Sequence, residues 1–255
     1  MIVVKALRKT FKLSRQQKRE MGKGFAGSTI DAVRDIDFQC QPGRIFALLG
    51  PNGAGKTTTL RMIATMLKPS AGTIGVLGHD TVQQPREVRR RMGFLTGDTG
   101  LYHRLTPTEL VKYFADLYGM EKKTYERRRE ELFSLLDMHD FANRRIGKLS
   151  SGMRQKVSIV RTMIHDPEAL IFDEPTVGLD VVTSRNIIQL IRNCKDAGKT
   201  VIFSTHRMGE VSLLSDDLAI IHQGRLCFND TYENFLSRMQ ARSVEDEFIR
   251  LVGEN

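Results

Sequence analysis

"IFALLGPNGAGKTTTL", Ile45–Leu60, decides the fold. Ile45–Leu49 is a short apolar run of strand length, and the residues after the glycines change period. Leu60, Ile63, Ala64 and Leu67 share one face of a helix. A glycine-rich turn between a buried strand and a helix start lets backbone N–H groups wrap a polyphosphate. Gly50, Pro51, Asn52, Gly53, Ala54, Gly55, Lys56, Thr57 and Thr58 are the candidate cradle. Lys56 places a cation on the outer phosphates, and Thr57 offers a hydroxyl to Mg²⁺.

Three further stretches extend this chemistry. "ALIFDEP", Ala169–Pro175, is an apolar strand ending in two acids. Asp173 is placed to hold a Mg²⁺ shell, and Glu174 to take a proton from an attacking water. "VIFSTH" is another apolar strand, ending in His206 on the same sheet edge as the phosphate loop. There the imidazole can donate to a phosphate oxygen; a satisfied polar strand end is the plainer reading. "LSSGMRQKVSIV", Leu149–Val160, opens a second helix, with Met153, Val157, Val160 and Ile164 at helical spacing. Its free N–H groups and positive dipole end also invite an anion.

The rest of the chain is an ordinary globular frame. A length of 255 residues suits one large domain or two small ones. Apolar runs alternate with helical patterns, which implies a parallel α/β sheet with an inserted helical lobe at about 106–164. Strands are expected at about 2–8, 32–39 and 44–49, a helix near 181–197, and a short tail after "LAIIH". No apolar run approaches the roughly 20 residues of a membrane helix. "MIVVKALRKTF" turns basic before a signal-peptide core forms, so a cytosolic chain is expected. Cys40, Cys194 and Cys227 have no paired spacing and read as reduced and structural. "GKGFAG", Gly22–Gly27, matches G-x-G-x-x-G but follows a polar run, so it reads as a loop. The net charge of +9 is partly local, with eight Lys or Arg between Lys5 and Lys23. Solvated loops, an anionic membrane surface and nucleic acid all accommodate that charge.

In order, the phosphate loop, "LSSGM", "LIFDEP", "VGLD" and "STH" resemble the motifs of the ATP-binding subunit of an ABC transporter. The resemblance covers about residues 2–252. It implies an α/β fold: a P-loop NTPase core of mixed sheet, with an antiparallel β-subdomain and an inserted helical subdomain. A single domain over 1–255 is implied, its helical subdomain at about 98–165 and its C-terminal tail at about 228–255. It implies ATP and Mg²⁺ as ligands, Thr57 and Asp173 at the metal, and Glu174 and His206 in catalysis. Two subunits then pair head to tail, as copies or homologues. Ser150, Ser151, Gly152 and Met153 of one face the phosphate held by the other, and Asp180 lies at the seam. Phe11 holds the place of the adenine-stacking aromatic, with Phe25 as competitor. "GRIFALLGPNGAGKTTTLRMIATMLKPSAGTI" and "GFLTGDTGLYHRLTPTEL" look like export-type subunits, the sodium-exporting branch in particular.

Three positions depart from the family pattern. Ser151 replaces a commoner glycine and Met153 a commoner glutamine. Gly97 stands where the family usually has a glutamine linking Mg²⁺ and water to the membrane partner. Asp98 either takes over part of that link as a metal ligand or caps the following turn.

The resemblance implies a transport ATPase at the cytoplasmic membrane face, bound to an integral-membrane permease subunit. A soluble ABC-type ATPase on ribosomes or nucleic acid is the competing class. One cassette in the chain, and only about 90 residues between Thr57 and Leu149 without sustained heptads, favour transport. Intact Lys56, Asp173, Glu174 and His206 argue against a non-hydrolysing regulator. The basic N-terminal segment is expected near anionic lipid or as a solvated loop. "SVEDEFIRLVG" is expected as a short helix, Ser243 and Asp246 at capping-box spacing, packed on its own domain or on a second subunit.

Overall fold

In the computed structural model the described residues are 1–14, 28–96 and 100–253. Phe25, "GKGFAG", Arg15, Lys18, Arg19, Gly97 and Asp98 lie outside them. The strands are β1 (Ile2–Lys12), β2 (Thr29–Cys40), β3 (Ile45–Leu49), β4 (Ala71–Val76), β5 (His79–Asp80), β6 (Met92–Leu95), β7 (Ala169–Asp173), β8 (Thr200–Thr205), β9 (Asp217–His222) and β10 (Arg225–Thr231). The helices are α1 (Lys56–Ile63), α2 (Pro85–Arg91), α3 (Pro107–Leu117), α4 (Lys122–Leu135), α5 (Ser151–Met163), α6 (Val181–Asp196), α7 (Met208–Leu214), α8 (Tyr232–Ser237) and α9 (Val244–Gly253).

One sheet has the order β10-β9-β3-β8-β7-β6, and a smaller one the order β2-β1-β4-β5. The pairs from β9 through β3, β8 and β7 to β6 are parallel, and β10 joins β9 antiparallel. The smaller sheet is antiparallel throughout. The expected mixed core sheet with an antiparallel β-subdomain is therefore present.

The larger sheet is buried on both faces at β3, β7 and β8, so these central strands read as unbroken apolar runs rather than alternating ones. Alternation survives in which face each residue serves. Phe46, Leu48, Ile171, Ile202, Ala219 and Ile221 pack with α1 and the smaller sheet. Ile45, Ala47, Leu49, Leu170, Phe172 and Phe203 pack with the helices of residues 107–191. Helix starts follow their caps. Thr106 and Glu109 form a reciprocal capping box ahead of α3, with Pro107 in its first turn. Asp180 caps α6 through the N–H of Thr183.

The structure corrects several sequence expectations. β1 runs to Lys12, beyond the expected end near residue 8, because its polar end pairs with β2 through register shifts. Leu67 lies past the end of α1, although it still packs on the layer shared with α1 and the smaller sheet. The tail carries the expected helix, α9, and in addition the unexpected β10 and α8. In α9, Phe248, Leu251 and Val252 pack on this chain's own core, while Ile249 points outward and is exposed. Ser243 Oγ accepts from Asp246 N at 3.1 Å and donates to Asp246 Oδ2 at 2.7 Å. The carboxylate thus returns to the hydroxyl, and the reciprocal backbone bond of a capping box is absent from it.

Candidate functional site

The phosphate loop leaves β3 and enters α1 in a space only glycine fits. A Cβ at Gly50 would sit 2.3 Å from the carbonyl oxygen of Ile221. At Gly55 it would sit 2.5 Å from that of Ala32, and φ there is +111°. Gly55 is also the N-cap of α1 and brings no side-chain cap, so the first-turn N–H groups stay open to an anion. Lys56 is buried, and its Nζ donates to the carbonyls of Gly50 at 2.7 Å and Pro51 at 3.1 Å. The loop's own oxygens thereby fix the ammonium inside the curve. Asn52 and Gly53 form the exposed tip, Ala54 is buried below it, and Thr58 is half-buried on α1.

The ends of β7 and β8 close on this loop. Asp173 is buried, and its Oδ1 accepts from Thr57 Oγ1 at 3.2 Å and from Ser204 Oγ at 2.6 Å. Glu174 has φ +50°, in the left-handed region that costs a non-glycine residue roughly 1–2 kcal/mol. Its N–H donates to the carbonyl and hydroxyl oxygens of Ser204, at 3.2 and 3.1 Å, and this pair holds the turn. The carboxylate then lies 3.3 Å from Lys56 Nζ and 3.2 Å from His206 Nδ1. Thr57, Lys56, Asp173, Glu174 and His206 thus converge, although they come from three separate chain segments.

The hydroxyl, carboxylate and ammonium groups test the fit to ATP and Mg²⁺. Thr57 and Asp173 offer hard oxygen donors. Among the described residues no cluster of three His, Cys, Asp or Glu forms an all-protein cage. Mg²⁺ is held in this way in phosphate sites, by one or two protein oxygens plus the substrate's own. The residues present fit the pair.

The residues of "LSSGM", the signature turn at the start of α5, form a second group. Ser150 caps α5, its Oγ accepting from Met153 N at 3.2 Å. Ser151 is exposed, and Gly152 and Met153 are half-buried. A Cβ at Gly152 would lie 3.9 Å from Asp180 Oδ2, so the signature turn and Asp180 adjoin within one chain. Asp180 is held below the usual carboxylate range by the N–H of Thr183 first, then by its hydroxyl. Gln155 Nε2 donates to the Pro175 carbonyl at 3.1 Å, tying the signature helix to the turn after Glu174. Phe11 stands at the exposed end of β1 with Lys9 Nζ 5.1 Å from its ring centroid, so a cation already covers one face.

A groove of about 290 Å³ runs between β6 and the helices α3 and α5. Met66, Phe94, Phe114 and Tyr118 line it together with Arg161 and His165. The Arg161 guanidinium lies 5.3 Å over the Phe114 ring and has no ion-pair partner among the described residues. Burial lowers its pKa. His165 stacks on Tyr118 with centroids 3.7 Å apart, and its Nε2 lies 3.3 Å from the Met92 carbonyl. Its Nδ1 is buried without a partner.

Burial above all pushes the His165 pKa down to about 4 from 6.5, with the Met92 carbonyl and Asp166 opposing and Lys199 and Arg128 assisting. An unfolded chain takes up a proton below pH 6.5, whereas the folded chain resists until about pH 4. Stability is therefore whole above pH 6.5 and falls as the pH drops through that window. Between pH 6.5 and 5 this amounts to about 2 kcal/mol. Urea unfolding of the wild type and of His165→Phe at pH 7 and pH 5 checks it. The variant keeps a stacking ring and should lose that part of the pH dependence; an equal dependence in both excludes His165 as its source.

Sequence reasoning missed Ser204, Thr205, Thr176, Glu210 and Gln155. The one available signal was the pair of hydroxyl residues ending the otherwise apolar "TVIFST".

A family model described as "ABC transporter" matches residues 33–177. The ABC transporter ATP-binding protein NatA of Bacillus subtilis (strain 168) is 47% identical over 221 residues, covering 86% of this chain and 90% of that protein. The linearmycin resistance ATP-binding protein LnrL of the same organism is 32% identical over 228 residues, covering 89% of this chain and 73% of that protein. Among solved structures, a dimeric ATP-binding cassette in a post-hydrolysis state with ADP and Pi superposes with a TM-score of 0.79. It is 24% identical over 91% of this chain and 98% of its own, a likeness that shows the fold.

Proposed function

The chain belongs to the ABC transporter family as an ATP-binding subunit and ATPase, and from that premise we propose that it is of the export type and powers export of a solute through a separate integral-membrane subunit. The observation that carries this reading is the placing of Glu174 between Lys56 and His206, beside the Thr57–Asp173 pair.

Lys56 and the open N–H groups of α1 bind the phosphates of ATP, and Phe11 offers its free face to adenine. Thr57 and Asp173 would hold Mg²⁺, which when bound neutralises charge on the phosphate oxygens. Glu174 accepts the proton of the attacking water. His206 holds the Glu174 carboxylate in place and donates to a phosphate oxygen. Ser150, Ser151, Gly152 and Met153 complete the site of a second subunit, a copy or a homologue, with Asp180 at the seam. The dimeric state of the similar cassette supports that pairing. Asp98 contributes to the link that a glutamine at position 97 would make.

The whole chain, 1–255, is one such domain, with a helical subdomain at about 98–165 and a C-terminal tail at about 228–255. It works at the cytoplasmic membrane face through its partner; among the described residues no helix is long and apolar enough to cross a membrane. Sodium is the solute that the export-type sequence texture favours.

The groove beside Arg161 supports a membrane partner. A half-buried guanidinium without a carboxylate, set among Met66, Phe94 and Phe114, suits an apolar segment carrying an acid. Arg161→Glu is expected to weaken co-purification of the membrane subunit roughly 10- to 100-fold while ATP binding persists. Undiminished recovery of the membrane chain removes the groove from that contact; recovery of ribosomes or nucleic acid in place of any membrane chain overturns the transport reading.

A further inference from the structure

We propose that Glu210 is a positioning residue that holds the two catalytic turns in register and so sets Glu174 against His206. The inference rests on the reading that Glu174 and His206 act in hydrolysis.

β7 and β8 pair in parallel as far as Asp173 and Ser204, the last pair of the ladder. Beyond it the strands give way to two turns, and Glu174 and His206 lie on those turns. A contact between residues on separate turns needs a tie past the end of the ladder. Glu210, in α7, supplies it. Thr176, two residues after Glu174, donates its hydroxyl to Glu210 Oε1. Thr205, immediately before His206, donates its hydroxyl to Glu210 Oε2 at 2.7 Å. One carboxylate therefore spans both turns, one oxygen to each.

The tie is sheltered from water. Thr176, Thr205 and Glu210 are exposed by only 2%, 1% and 8%. Burying a carboxylate costs free energy unless its oxygens are well donated to. Here Arg207 adds a contact at 3.2 Å to Oε1, and its own N–H donates to Thr205 Oγ1 at 3.0 Å. The Arg207 side chain is largely exposed, so it adds little to the tie. The two buried threonines do the holding. Without an acceptor between them both hydroxyls lose the oxygen they donate to, and the turns keep Ser204 and the Glu174–His206 contact itself.

Steady-state ATP hydrolysis by the full chain tests this. Glu210→Ala is expected to lower kcat roughly 10- to 100-fold, as for a misplaced catalytic pair, with the KM for ATP changed less than about 2-fold. Lys56 and the phosphate loop are untouched, so binding should hold. Glu210→Gln should recover most of the rate, since its amide oxygen accepts from one hydroxyl and its amide nitrogen donates to the other. Thr176→Val cuts one bond at equal volume and should lower kcat in the same sense. It decides the matter by the same split if Glu210→Ala does not fold. A wild-type kcat in folded Glu210→Ala, or a parallel loss of kcat and binding that the glutamine does not rescue, overturns the proposal. Glu174→Gln run alongside separates the two levels. A wild-type rate there removes the underlying reading; a lost rate there with unchanged kcat in Glu210→Ala removes only the positioning role.

Discussion

Glu174→Gln is expected to slow ATP hydrolysis by about 10²–10⁴-fold while ATP stays bound. The amide keeps the size of the carboxylate and an oxygen to face Lys56, 3.3 Å away in the native chain. It lacks the basicity to take a proton from water. The left-handed turn at Glu174 is held by two bonds from its own N–H to Ser204, and these do not involve the side chain. The variant should therefore fold normally. ATP would then bind, draw two subunits together and persist, so a dimer stable in ATP and dispersed in ADP is the accompanying result. Size-exclusion chromatography with radiolabelled ATP reads both. A wild-type turnover rate would show that the proton goes elsewhere.

Lys56→Ala should act one step earlier. Lys56 is buried, and its ammonium lies among the Gly50 and Pro51 carbonyls and the Glu174 carboxylate. Removing it takes away the central cation of an anion site. ATP affinity is expected to fall by about 100-fold, equivalent to roughly 3 kcal/mol for lost charge-assisted bonds. Unchanged affinity by calorimetry would remove the phosphate-loop assignment. The same variant also reports on pairing. Ser150→Arg spoils the signature turn but leaves the phosphate loop intact. Mixed with Lys56→Ala, it forms heterodimers in which one composite site is whole. Hydrolysis that neither variant shows alone should return in the mixture. Full-rate hydrolysis by a demonstrably monomeric chain would dispose of the composite site.

The parts legible in the sequence were those written in local periodicity. "IFALL" before the phosphate loop, "ALIFD" before Glu174 and "TVIFST" before His206 are all buried on both faces, so each stands out as an unbroken apolar run. Val157, Val160 and Ile164 likewise announced the buried face of α5. What stayed hidden was written across the fold. β10 is an edge strand with partly exposed residues on both faces, and neither a continuous nor an alternating apolar pattern marks it. The far end of β1, "RKTFK", is polar and held by antiparallel bonds to β2, which composition does not reveal. Glu210 sits 34 residues from Thr176, and only the return of the chain through α6 and β8 brings them together. Ser204 looked like one hydroxyl among several until the strand order put it beside Asp173.

The two apolar layers on either side of the larger sheet bear on how such a protein changes over generations. Residues of the central strands contribute to one layer or the other by parity, so substitutions in the helical region meet Leu49, Phe172 and Phe203 but not Phe46, Leu48 or Ile171. Distant sites with no shared neighbours accumulate changes almost independently. A lineage can therefore reshape the helices of residues 107–163 while the layer beneath the phosphate loop is inherited intact. Recombination follows the same line: grafting residues 107–163 from a relative disturbs one layer and spares the other.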